Sequence, residues 1–348
     1  MPYCQVDRSN RPDKDMGSEI VQIYYRTYGE GDTKVLLIMG FAATHEAWSY
    51  QISGLVGSVT PNEEEDAMDK VSTPSANYKS LHETKSIDGS PVKEDKGMVS
   101  STGVHVCAFD NCGVGKSSAP ERKSEYTTKI MAMDALDLMN HLGWRKAHVF
   151  GHSLGAMIAF KLAVMFPDRV ASLALLSASG GGYECIPKEY VKNISATGLQ
   201  NKYGQNGQLN ACWTHGVSAE EYEKLRTSSI LISVIHGRGD VIAQFRHAKN
   251  IARKLHPAAR LIELPGGHLI THQHTTEVNK ELMELIRATD ANVPHSQWNK
   301  VSFVDEEDED SKDDQGCSGF VKRVYRWITC TDSCFSWKEL FFSRRKLL

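Results

Sequence analysis

Apolar and polar positions change period from block to block along the chain, and the changes mark out its elements. "EIVQIYYRTYG" (19–29) alternates and is rich in β-branched and aromatic residues, which predicts a strand or hairpin. "KVLLIMG" (34–40) is instead a continuous apolar run closed by glycine, as expected of a strand buried on both faces of a parallel sheet. In "EAWSYQISGLVG" (46–57), Trp48, Ile52 and Leu55 fall on one helical face. The same exchange then repeats. Strands are predicted at 103–110, 146–151, 170–178, 229–237 and 259–265, with helices at 127–142, 154–166, 241–255 and 275–288 between or after them. Strands alternating with helices over this length mean an α/β fold with a mostly parallel sheet. No repeat of 20 to 50 residues is visible.

Four stretches break the alternation. Residues 58–102 hold few large apolar residues and many Ser, Thr, Lys, Glu and Pro, so a disordered polar insertion is expected there. It joins a helix end to a strand start, which puts it at the opposite edge of the sheet from Ser153, where it would not act as a lid. Residues 179–228 are mixed in character and follow a strand end, which makes them the natural cap over the C-terminal edge. Residues 303–319 form an acidic linker, and 320–348 a basic, aromatic tail. The core is therefore expected to comprise 19–178 and 229–300.

At 348 residues, with 41% apolar and 24% charged, the composition is that of an ordinary globular protein with ample core material. A net charge of -3, from 40 basic and 43 acidic residues, supplies no global field for nucleic acid, which is not expected as a partner. The polar start "MPYCQVDRSNRPDKDMG" lacks the apolar run of a secretory signal, and Pro2 excludes glycine myristoylation. A cytoplasmic chain is the expectation. Its eight cysteines lack metal-type pairing and most are expected as free thiols, Cys107 as a small buried hydrophobe.

The chemistry centres on "HVFGHSLGAM" (148–157), where Gly151-His152-Ser153-Leu154-Gly155 fits G-x-S-x-G between a predicted strand and a predicted helix. A hydroxyl becomes a nucleophile only with a base to take its proton and donors for the oxyanion. The turn would hold Ser153 strained, and side chains at 151 and 155 would clash with strand and helix, hence the glycines. Asp240 in "HGRGDVIA" and His268 in "PGGHLITH" follow the ends of later strands, in the order Ser, acid, His. His268 would be general base and then acid, with Asp240 orienting it. The plainer readings are a helix N-cap for Asp240 and a surface loop histidine for His268. His272 and His274 could form H-x3-H-x-H with His268, but no nearby carboxylate or cysteine completes a metal set. Two N–H groups complete the expected site, those of Leu154 at the helix start and of Phe41 after the turn that Gly40 permits in "MGFAATHEAW". No metal or other cofactor is called for.

Taken together, "LLIMGFAATHEAW", "FDNCGVGKSS", "GHSLGAMIAFKLAVMFPDRV", "HGRGD" and "GGHLI" resemble the Ser-His-Asp α/β-hydrolase superfamily, in its esterase, methylesterase and lipase-like branch with a short cap. The resemblance covers about residues 19–290. It implies an eight-stranded, mostly parallel sheet with helices on both faces, and a serine hydrolase cleaving a carboxylic ester, or a thioester, through an acyl-enzyme. Serine at 153 argues against the epoxide hydrolase and haloalkane dehalogenase branches, which use aspartate there. Two departures stand out. Relatives usually carry His-Gly where this chain has Met39-Gly40, and tend to have Arg where it has Cys112, a residue read as a packed thiol rather than a pocket group. A C–C hydrolase or perhydrolase with the same triad, and a slow-turnover ligand sensor, are the alternatives.

The additions carry their own expectations. Tyr183, Tyr190, Tyr203, Trp213 and Tyr222 could line a pocket under the cap, though some would only hold it to the body. The sequon at 193–195 is expected to be silent in a cytosolic chain. In 320–348, seven Lys and Arg interleaved with Trp327, Trp337 and several Phe suit a membrane surface, with Cys330 and Cys334 as acylation candidates; the alternative is a helix docked on the body or the linker.

Overall fold

A computed structural model describes residues 2–9, 11, 20–62, 103–182 and 200–299. The expectations for the linker 303–319, the tail 320–348, the sequon, Tyr183, Tyr190 and the 58–102 insertion beyond its first residues lie outside them.

Strands β1 (Tyr3–Asp7), β2 (Ile20–Tyr28), β3 (Thr33–Ile38), β4 (Val104–Phe109), β5 (Ala147–His152), β6 (Val170–Leu176), β7 (Leu231–Gly237) and β8 (Ala259–Leu264) form one eight-stranded sheet in the order β1-β2-β4-β3-β5-β6-β7-β8. β2 runs antiparallel to both β1 and β4, and every other pair is parallel. The helices are α1 (Ser49–Val56), α2 (Thr128–His141), α3 (Leu154–Met165), α4 (Lys202–Thr214), α5 (Ala219–Arg226), α6 (Phe245–Leu255), α7 (Ile270–Gln273), α8 (Thr275–Asp290) and α9 (His295–Trp298).

Alternate residues of the central strands explain the continuous apolar runs. Leu36, Ile38, Cys107, Phe109, Ile232 and Val234 pack with α2, α3 and α6 in one core cluster. Their neighbours Val35, Leu37, Val106, Ala108, Leu231 and Ile235 pack with α1, α8 and Trp298 in a second. Helices thus cover both faces, and a strand clad on both sides needs apolar residues at every position. β1 escaped the sequence reading because its five residues sit in a polar stretch. It is held by Arg8, which is 1% exposed and reaches Asp134 of α2 through Nε (3.2 Å) and Nη2 (2.6 Å), while Arg11 Nη1 lies 2.9 Å from the same carboxylate. Two buried charges are tolerable only when paired this fully.

The predicted helix at 241–255 begins at Phe245, because Asp240 draws the preceding residues into a tight turn. The flanks of the 58–102 insertion meet at the N-terminal ends of β3 and β4. Asn62 donates from its backbone to Thr27 O (2.8 Å) and from its side chain to Gly29 O (2.9 Å), and Thr33 N–H donates to Gly103 O (3.3 Å). Parallel strands all point the other way, so Ser153 lies at the far edge.

Between β6 and β7, α4 packs on the turn Lys123–Glu125 and α5 on α3 and α6. Buried Lys161 of α3 donates to Gly216 O (2.7 Å) and Glu221 Oε2 (2.7 Å). Tyr222 stacks edge-on against Phe160 and fastens the segment to the body, whereas Tyr203 is exposed. Trp213 packs half-buried against the first core cluster.

Several histidines are built into this interior as neutral groups. Burial pushes His148 and His272 down to about 4, and His152 and His215 down to about 3. An unfolded chain releases them to the ordinary value near 6.5 and binds more protons below it. Their stabilisation is therefore whole above that value and is lost as pH falls toward the folded values, by about 2 kcal/mol per histidine at about pH 5. Removing one of them should flatten the dependence. Chemical denaturation of His215→Gln should lose about 2 kcal/mol less than wild type between about pH 7 and pH 5; identical losses would assign the acid sensitivity to other groups.

Candidate active site

β5 delivers its last residue directly into the first turn of α3, and the junction forces a rare backbone conformation. Ser153 has φ 55° and ψ -118°. An L-residue holds such angles only when its surroundings impose them, at about 1–3 kcal/mol. The surroundings here are backbone at close range. A Cβ on Gly151 would collide with the Gly155 carbonyl, and one on Gly155 with the carbonyls of Ile38 and Met39. Gly40 completes the enclosure, since a Cβ there would come 3.1 Å from both Ser153 Cβ and the His152 carbonyl. The glycines singled out in the sequence are those that let β3, β5 and α3 approach.

The structure brings Ser153, His268 and Asp240 together. His268 Nε2 lies 3.0 Å from Ser153 Oγ, and His268 Nδ1 lies 2.8 Å from Asp240 Oδ2. A carboxylate only accepts, so Nδ1 carries the proton and Nε2 accepts from the serine hydroxyl. Asp240 is 4% exposed, and its Oδ1 accepts from the Ile242 and Ala243 N–H groups (2.8 and 2.9 Å). Burial by itself raises its pKa, yet His268 and the hydrogen bonds from His236 and His268 hold the carboxyl well below the usual range. It is an anion at every ordinary pH. The helix-cap reading of Asp240 captured those two amide bonds and missed the histidine.

Two further histidines hold this pair from behind, and sequence reasoning passed over both. His152 Nε2–H donates to the backbone carbonyl of His268 (2.9 Å), which also accepts from Ser177 Oγ–H (2.8 Å). His236 Nε2 lies 2.6 Å from the Ala243 carbonyl and 3.3 Å from Asp240 Oδ2. Each sits inside an apolar run, so the only available signal was a polar residue at a position where a doubly buried strand wants none.

The Phe41 loop stands next to the serine. Neither the Phe41 nor the Leu154 N–H is paired with another described residue, and Leu154 is the first residue of α3, where the helix N-terminus favours negative charge. Where relatives were expected to carry a histidine, Met39 packs into the core, and its carbonyl accepts from Asn111 Nδ2 (2.7 Å). Asp110 fixes the other end of the loop, accepting from the His45 backbone N–H (2.9 Å) and Nδ1 (2.7 Å). Trp48 is fully buried core. Cys112 is a packed thiol, 1% exposed, its Sγ 3.4 Å from the Ser118 carbonyl and its pKa pushed up to about 12 by burial. His272 and His274 point elsewhere, to Thr271 Oγ1 and the Pro265 carbonyl, and among the described residues no group of three or more His, Cys, Asp or Glu is placed to hold a metal.

Known proteins share this framework. A family model described as alpha/beta hydrolase fold matches residues 93–188. Putative carbamate hydrolase RutD from Pseudomonas savastanoi pv. phaseolicola is 33% identical over 222 residues, covering 53% of this chain and 83% of that protein. The chain belongs to the α/β-hydrolase family. A shorter match, 33% over 79 residues, links it to Bifunctional epoxide hydrolase 2 of Sus scrofa, of which the chain spans only 14%. Among solved structures, a hydrolase from Pseudomonas aeruginosa PA01 superposes with TM-score 0.57 at 18% identity, over 82% of this chain and 98% of that one. The enol-lactonase from Burkholderia xenovorans LB400 gives 0.55 at 16%, over 77% and 97%. At such identities the likeness is one of fold.

The strained turn has a measurable consequence. Glycine adopts φ 55° freely, so Ser153→Gly should be more stable than Ser153→Ala by about 1 kcal/mol, after glycine's larger backbone entropy is subtracted. Thermal unfolding of the two variants checks this; an alanine variant as stable as the glycine one would mean that the turn stores no strain.

Proposed function

We propose that this chain is a serine hydrolase that cleaves a carboxylic ester through an acyl-enzyme on Ser153. The observation that carries the reading is the unbroken chain from Ser153 Oγ to His268 (3.0 Å) to the buried Asp240 (2.8 Å). In this reading Ser153 Oγ attacks the acyl carbon while His268 Nε2 takes its proton, and Asp240 stabilises the imidazolium that results. The oxyanion is held by the N–H groups of Phe41 and Leu154. Collapse of the tetrahedral adduct sends the proton from His268 to the departing alcohol. Water, deprotonated by the same imidazole, then attacks the acyl-enzyme and frees the acid and Ser153.

The segment 179–228, seated between β6 and β7 with α4 and α5, is the part we assign to substrate choice. Thioesters fall within the same chemistry. Because the relative covered over most of its length is named a carbamate hydrolase, carbamates belong among the substrates to be tried.

A panel of activated esters of graded acyl length, with a thioester and an aryl carbamate, tests the reading. Wild type should turn over at least one of them, and Ser153→Ala should be slower by about 10⁴-fold or more. Equal rates in the two proteins would remove Ser153 as the nucleophile. Wild type inert to all of them but strongly stabilised against heat by one would favour the ligand-sensor alternative.

A further inference from the structure

Gln208 of α4 is a fully buried polar side chain. Its side chain reaches out of α4 to two backbone groups. Oε1 accepts from the Ala42 N–H (2.9 Å), and Nε2 donates to the Cys112 carbonyl (3.0 Å). Helix α4 comes close enough for this because the face it presents is made of glycine. A Cβ on Gly204 would collide with the Gly113 carbonyl, and one on Gly207 with the ring of Tyr126. The contact is a fitted one, with a single amide spanning the two loops.

What Gln208 holds is the residue after Phe41. Three successive peptide planes lie here. The first, Met39–Gly40, is fixed by Asn111 Nδ2 on the Met39 carbonyl (2.7 Å), and the third, Phe41–Ala42, by Gln208 on the Ala42 N–H. The plane between them carries the Phe41 N–H, and its own carbonyl, that of Gly40, accepts a long bond from the Ala43 N–H (3.4 Å). With both neighbours fixed, it can turn only through ψ of Gly40 and φ of Phe41, and a phenylalanine resists positive φ. Ala42 itself stands at φ 57°, a left-handed conformation that a residue with a Cβ keeps only while something holds it. The Gln208 hydrogen bond (2.9 Å) is the shorter of two holds, the other being the 3.4 Å bond from the Ala43 N–H to the Gly40 carbonyl that closes the turn. Without the Gln208 bond Ala42 relaxes toward negative φ, and the Phe41 plane is carried along.

We propose that Gln208 is a positioning residue for the oxyanion site, setting the direction of the Phe41 N–H from the segment that covers the catalytic edge. The inference rests on the Ser153 chemistry proposed above. Its consequence is that a residue of α4 acts on kcat rather than on substrate binding alone. Since the Ala42 bond is lost if α4 moves away, a productive site requires α4 to be docked.

The test is steady-state hydrolysis of the p-nitrophenyl ester that wild type turns over fastest, comparing wild type, Gln208→Met, Gln208→Glu and Gln200→Ala. Gln208→Met is of similar length and makes neither bond. Its kcat should fall about 10- to 100-fold, with KM changed by less than about threefold. Gln208→Glu keeps an acceptor for Ala42 and, while its carboxyl is neutral, a donor for Cys112. Burial lifts the introduced carboxyl by about 3 pH units above its ordinary value of about 4.3. Its kcat relative to wild type should therefore be near unity at about pH 5.5 and drop by about pH 8.5, where the Cys112 carbonyl repels the ionised carboxylate and drives it off the Ala42 N–H. Gln200→Ala removes a bond from the same segment to the Gly113 carbonyl (2.8 Å) without touching the Phe41 loop, and should keep wild-type kcat. Wild-type kcat in Gln208→Met, a rise confined to KM, or an equal loss in Gln200→Ala would each overturn the assignment. If Gln208→Met fails to fold, the pH dependence of Gln208→Glu decides alone, and a constant ratio to wild type contradicts the proposal. A wild type that hydrolyses no substrate in the panel brings down the Ser153 chemistry and this inference together, whereas active wild type with an unaffected Gln208→Met brings down only the inference.

Discussion

Ser153 keeps φ 55° because three backbone segments close on it, and that closure determines which residues the neighbouring positions can accept. Gly151 and Gly155 allow α3 to start immediately beyond β5, and Gly40 lets the end of β3 lie against the serine. The same close packing starts α3 at Leu154, directly after the serine. Loosening the junction would release strain of about 1–3 kcal/mol, but it would also separate Ser153 from Gly40 and from the start of α3. Apolar burial on either side of the sheet keeps the junction closed.

Behind the junction lies a graded set of buried polar groups. Asp240 is held as an anion by two amide bonds and by His268 and His236, while His152 is kept neutral by its burial and uses its one N–H on the His268 carbonyl. Charge is therefore confined to one carboxylate facing one imidazole. A second ionised histidine in contact with His268 would oppose any charge on that imidazole; with His152 pushed down to about 3, that competition is absent at neutral pH.

The sheet was legible in the sequence wherever both faces of a strand are clad, as in 34–40 and 229–237, because burial then writes itself into every position. β1 was not, since Arg8 and Asp134 anchor its end by a charge pair that looks polar in one dimension. Ser153, Asp240 and His268 could be placed because each follows a strand end, and the sheet brings such ends to one edge. His152, His236, Asn111 and Gln208 could not. His152, Asn111 and Gln208 reach backbone groups distant in sequence, as in the 166 residues that separate Gln208 from Ala42, and His236 reaches around the turn after β7 to the Ala243 carbonyl, so no periodic pattern records these contacts. The insertion at 58–102 was placed by its flanks alone, helix end and strand start, and the bonds of Asn62 and Gly103 put those flanks away from the serine.

In the proposed chemistry, Ser153, activated by His268, is the group that takes up the acyl moiety. Treatment of the wild-type chain with a fluorophosphonate, followed by peptide mass mapping, tests it most directly. One covalent phosphonyl adduct is expected, on Ser153, with its formation strongly slowed in His268→Ala. Absence of an adduct, or an adduct on another residue at undiminished rate in His268→Ala, would contradict it.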